Sequence, residues 1–161
     1  MKKLLIASLL LLSTYSQAQD VRFTASAFTD PIATAKDGFN IGAAIEYQMS
    51  ISYFKVQVFS FPDLKGTDYF HLQATVIGFN YHNMWKDLRI YGGGKIGAIY
   101  RGANPHPTYG GEMGLEWYPQ GSGNGFYVGV EGSLDWREDF KFSDAEAAFQ
   151  HNGAIKVGYS F

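Results

Sequence analysis

The stretch that decides the reading is the last one, Phe149-Gln150-His151-Asn152-Gly153-Ala154-Ile155-Lys156-Val157-Gly158-Tyr159-Ser160-Phe161. Phe149, Gly153, Ile155, Val157, Tyr159 and Phe161 fall on one side of an extended chain, and Gln150, Asn152, Lys156 and Ser160 on the other. Successive side chains of a strand point to opposite faces, so this alternation marks a strand lying between two different environments. It also finishes flush on an aromatic residue, an end for which a soluble domain has no use.

The same period of two runs backward through the chain. In 126–136, Phe126, Val128, Val130, Leu134 and Trp136 oppose Tyr127, Glu131, Ser133 and Asp135. In 109–118, Tyr109, Met113, Leu115 and Trp117 oppose Glu112, Glu116 and Tyr118. Segments 88–101 and 39–48 repeat the pattern, with Arg89, Lys95, Arg101 and Glu46 on their polar faces. Three earlier segments are less regular. Residues 20–28 alternate. In 51–61, Phe59 and Phe61 fall on the polar face beside Lys55 and Gln57. In 69–81, the apolar residues change sides after Val76, which a bulge near Gly78 would repair.

Eight strands result, joined through 29–38, 49–50, 62–68, 82–87, 102–108, 119–125 and 137–148. The odd-numbered connections are the longer ones on average, as in a meander with one rim outside and the other facing the periplasm. Loop 102–108, with Pro105 and Pro107, reads as stiff. Nowhere does a convincing 3.6-residue apolar stripe predict a helix.

Composition narrows the class. The chain has 161 residues, 19 Gly, no Cys, 17% aromatic and 17% charged residues and a net charge of -2. Without Cys there is no disulfide and no Cys-ligated metal, and the charge offers no field for nucleic acid. A mean hydropathy of -0.14 excludes a bundle of membrane helices. Residues 1–18 read as a secretory signal: Lys2 and Lys3 lead an apolar run, Leu4 to Leu12, and Ser16-Gln17-Ala18 supplies a cleavage site before Gln19. Residues 19–161 then form one domain.

Eight one-sided strands bury their apolar face in one of two ways. A lipocalin-like barrel turns it inward around a small amphiphile, and a membrane barrel turns it outward into lipid. Aromatics near the strand ends, such as Phe39 and Tyr47, Tyr109 and Trp117, and Phe126 and Trp136, favour the second, because amphipathic rings collect at both membrane interfaces.

The leader, the eight amphipathic strands and the terminal Ile155-Lys156-Val157-Gly158-Tyr159-Ser160-Phe161 resemble the small outer-membrane β-barrel proteins of Gram-negative bacteria. The resemblance implies an all-β, eight-stranded antiparallel up-and-down transmembrane barrel, set as a monomer in outer-membrane lipid. It also implies that Tyr159 and Phe161 are read by the barrel-assembly machinery.

Inside such a barrel the hairpin centres place Glu112 beside Glu131, Lys95 diagonal to Glu112 and Glu116, Lys156 diagonal to Glu131, and Glu46 near Lys55. The expectation is one mid-height belt of Glu46, Lys55, Lys95, Glu112, Glu131 and Lys156 that closes the lumen. Paired carboxylates also serve acid/base chemistry, but there is no G-x-S-x-G motif, and His71, His82, His106 and His151 lack metal-ligand spacing. A lipid-modifying enzyme is therefore the weaker alternative. The chain reads as a non-enzymatic barrel without cofactor, serving envelope structure or contacts through its outer loops. Phe140 and Phe142, set among charges in 137–148, are candidate contacts with a partner or with lipid headgroups; the competing arrangement folds them back over the barrel mouth.

Overall fold

The computed structural model describes residues 21–64, 67–101, 104–121, 123–137 and 148–161. The expected leader at 1–18 and the candidate contacts Phe140 and Phe142 lie outside these residues. Eight strands follow one another: β1 (Arg22–Thr29), β2 (Ile41–Gln48), β3 (Ser52–Leu64), β4 (Thr67–His82), β5 (Leu88–Arg101), β6 (Asn104–Trp117), β7 (Gly125–Arg137) and β8 (Ala148–Ser160). Each pairs antiparallel with its sequence neighbour, and β8 returns to β1 to close the barrel. The closing seam sets Ala25 opposite Tyr159 and Ala27 opposite Val157. No strand edge is left along that seam.

The alternation sorts side chains by radius, with the greasy face outward. Ile45, Phe79 and Met113 are 67%, 66% and 70% exposed, whereas Arg89 and Glu116, on the inner face, are 0% exposed. Aromatic rings gather near both ends of the outer wall. At the rim where the termini lie, Phe23 packs on Tyr47 and Tyr159 on Phe161, each pair 5.0 Å apart. Toward the distal rim Tyr109, Trp136 and Phe149 are cross-strand neighbours, with Trp136 and Phe149 5.0 Å apart.

Four inward aromatics each lie directly across from a glycine: Phe28 from Gly42, Tyr53 from Gly78, Tyr91 from Gly114 and Tyr127 from Gly158. A Cβ at Gly78 would stand 2.6 Å from the Tyr53 ring, and one at Gly158 would stand 2.5 Å from Tyr127 Cζ. Each ring therefore lies over bare backbone, which is how large residues fit a narrow barrel. The bulge expected near Gly78 lies just before it. Register shifts between Thr75 and Ile77, and Val76 and Ile77 both face outward as an extra residue requires.

The connections differ from expectation. The second and third distal ones shrink to 65–66 and 102–103, so long and short loops do not simply alternate between the rims. Loop 102–108 is mostly strand. Tyr100 pairs with Pro105 and Ala98 with Pro107, while described pairing to β7 begins only at Thr108. Residues 104–107 thus extend along β5 at the start of β6.

Segment 29–38 holds a helix, α1 (Pro31–Asp37), where none was expected. Its signals are local. Asp30 caps it, accepting from the Ile32 and Ala33 N–H groups at 2.9 and 2.8 Å, and Pro31 begins it. The other Asp30 oxygen accepts from Gly153 N at 2.9 Å, which ties the helix to β8. A seven-residue helix is too short to show a periodic stripe.

Candidate functional site

The inward side chains form two levels. The one nearer the terminal rim is a closed network of ions and hydroxyls. Arg89 uses its whole guanidinium there: it meets Glu46 at 2.5 Å and Glu116 at 2.8 Å, and donates to Asn80 Oδ1 at 3.1 Å. Lys156 lies 2.5 Å from Glu116 and 3.6 Å from Glu131. Lys55 reaches across the lumen to Glu112 at 2.7 Å and Glu131 at 2.8 Å.

Three cations thus face four carboxylates, and neutral hydroxyls supply further donors. Tyr53 and Thr75 donate to Glu112, Tyr91 to Glu131 and Tyr118 to Glu116, at 2.6 to 2.8 Å. The Tyr91 ring is the hub, with the Lys156, Arg89 and Lys55 cations 4.2, 4.6 and 5.6 Å from its centroid. Burial and the neighbouring Glu116 carboxylate push the phenol of Tyr118, just beyond β6, above the usual tyrosine range.

The distal level is built differently. Gln57 donates to Gln73 at 2.8 Å, Gln73 donates to Asp135 at 3.0 Å, and Lys95 bridges Gln73 and Asp135 at 3.1 Å each. Above this floor opens a cavity of about 260 Å³. Phe61, Tyr69 and Ile99 form a small buried apolar cluster beside it, joined by Phe59. Arg101 and Arg137 approach the Tyr69 ring at 5.8 and 5.1 Å.

The expected single belt is therefore corrected. Glu46, Lys55, Glu112, Glu131 and Lys156 do meet in one network. Lys95 leaves it: its register stays diagonal to Glu112, but its ammonium pairs with Asp135 in the distal level. Glu112 lies opposite Ser133 and not Glu131, and the two carboxylates share Lys55 instead of abutting. Glu46 and Lys55 are cross-strand partners, yet each takes its ion pair elsewhere. Arg89, Glu116, Asp135 and Tyr91 were missing from the belt. All four lie on the inward face that alternation marks, so parity was the usable signal. Tyr159 and Phe161 lie on the outer wall at the terminal rim, both exposed. Among the described residues no group of three or more His, Cys, Asp or Glu could hold a metal ion.

No protein-family model matches the chain, and no curated protein does. Solved barrels share its fold, among them the following two. The N-terminal β-barrel domain of Pseudomonas aeruginosa OprF superposes with a TM-score of 0.60 at 14% identity, over 89% of this chain and 99% of that one. Neisserial surface protein A superposes with a TM-score of 0.52 at 11% identity, over 87% of this chain and 95% of the other. At such identities the likeness is one of backbone architecture and carries no side chain of the lumen with it.

Proposed function

We propose that the chain is an integral, non-enzymatic protein of the bacterial outer membrane, a monomeric barrel whose lumen is closed at its terminal level. Its role is envelope structure, or contact through its distal connections. The reversed polarity carries this reading: ionised groups are dry inside while isoleucines, phenylalanines and a methionine line the outside. Such a wall, with aromatic rings toward both rims, fits hydrocarbon bounded by two interfaces. The two barrels of like fold, both outer-membrane proteins, support the same placement.

In this reading residues 1–18 direct export and are removed, the terminal rim faces the periplasm, and Tyr159 and Phe161 present the assembly signal. No helix among the described residues is long and apolar enough to cross a membrane, so the strands alone would span it. The test is extraction and gel mobility. The exported chain should leave envelope fractions only with detergent and should migrate differently before and after boiling. A mature chain that stays dispersed in plain buffer would overturn the proposal.

A further inference from the structure

The distal cavity holds an unmade bond. His71 on β4 is 5% exposed and lines the cavity, and its Nε2 has no hydrogen-bond partner among the described residues. A buried polar atom left unpaired costs free energy, and native structures rarely keep one without a use. Its surroundings have two faces. On one, Phe59 and Phe61 present ring edges and faces, with centroids 4.9 Å apart, and Tyr69 continues the row at 5.4 Å. On the other stand the Gln73, Lys95 and Asp135 floor and the Arg137 side chain. Below, the Arg89 network closes the lumen, so a ligand would enter from the distal rim alone.

The sign of the ligand follows from the wall carboxylates, which the chain's own donors already engage. Asp30 accepts three backbone N–H bonds. Asp135 accepts from Gln73, Lys95, Ser133 and Asn152. Glu131 accepts from Lys55 and Tyr91. A cationic ligand would have to break these bonds, whereas an anion can take the open His71 Nε2 without displacing any of them. An imidazole can carry its proton on Nε2 and offer it to a carboxylate oxygen.

We propose that this cavity is a binding site for a small organic acid with an apolar body. The carboxylate takes the His71 Nε2 hydrogen bond beside Lys95, and the body lies against Phe59 and Phe61. A volume of about 260 Å³ admits one substituted ring or a short chain, not a full acyl lipid. The site goes beyond the envelope role and does not depend on it.

The test uses the mature chain refolded in zwitterionic micelles, with heat-dependent gel mobility confirming the barrel in every sample. The probe is 4-fluorobenzoate, followed by its ¹⁹F resonance. Saturable binding is expected, at least tenfold tighter than that of neutral 4-fluorobenzyl alcohol. His71→Leu should weaken it tenfold or more, while Met113→Ala on the outer wall should leave it unchanged. If His71→Leu does not form the barrel, His71→Gln, which keeps an N–H donor, takes its place and should retain binding within about threefold. A non-saturating shift, equal binding of the alcohol, or a folded His71→Leu barrel that binds as before would each overturn the site. All of these are read on a folded barrel, so they leave the membrane assignment standing.

Discussion

The two levels of the lumen are built by the same eight strands with the same alternation, yet one is spanned by an ion network and the other holds a cavity. Near the terminal rim, long cations meet carboxylates across the axis, and Tyr53, Tyr91 and Tyr127 lie over glycines and fill the remaining space. Toward the distal rim Gln57, Gln73, Lys95 and Asp135 join only into a floor, and the aromatics gather on one side. An eight-stranded barrel is just wide enough for side chains to fill. Whether a level closes thus depends on the reach of its residues and on what lies opposite each ring.

The largest test of this contrast is Arg89→Met. It strips the guanidinium from Glu46 and Glu116, leaving buried carboxylates with fewer partners, and should lower stability by about 3–5 kcal/mol. Urea unfolding in micelles measures it. The same change should raise conductance in planar bilayers from a closed baseline. A Lys95→Met barrel, altered only in the distal level, should stay closed, because the Arg89 network is untouched. Steady ohmic conductance in the unaltered protein would mean that the terminal level is no plug.

Gly158→Val comes next. Its side chain would meet Tyr127 and Ala25 O, both within 2.7 Å of the new Cβ, and overpacking of this kind costs about 1–3 kcal/mol. The urea midpoint should fall accordingly. Asp30→Ala should cost about 1 kcal/mol, the usual worth of a helix cap, and should act locally. Amide exchange should quicken at Ile32, Ala33 and Gly153, with the Arg89 level unaffected. The smallest effect is expected on the outer wall at Gly132, where an added Cβ meets nothing within 4 Å. Gly132→Ala should raise stability by about 0.5–1 kcal/mol through the unfolded chain. A loss there would mean that the open glycine is occupied by something in the folded barrel.

Much of the architecture could be read from alternation, because a strand between lipid-like and polar surroundings must place opposite residue types at odd and even positions. Phe149 to Phe161, Phe126 to Trp136 and Leu88 to Arg101 could be placed this way, and so could the inward side of each charge. Where local chemistry competes with period, the reading failed. Pro105 and Pro107 suggested a loop but lie at the start of β6, and Asp30-Pro31 announced a helix too short for periodicity to register. Hairpin arithmetic finds neighbours along the wall and cannot see across the axis. That is why Lys55 was matched to Glu46, although its ammonium reaches Glu112 and Glu131.

By itself, then, the order of residues settled the number of strands, their direction and which side chains point inward, since these follow from backbone geometry acting locally. Only closure of the sheet decided which inward charges meet, that Tyr91 lies at their centre, and that His71 faces a cavity. Those contacts join positions tens of residues apart across a lumen whose width and strand stagger no single hairpin contains.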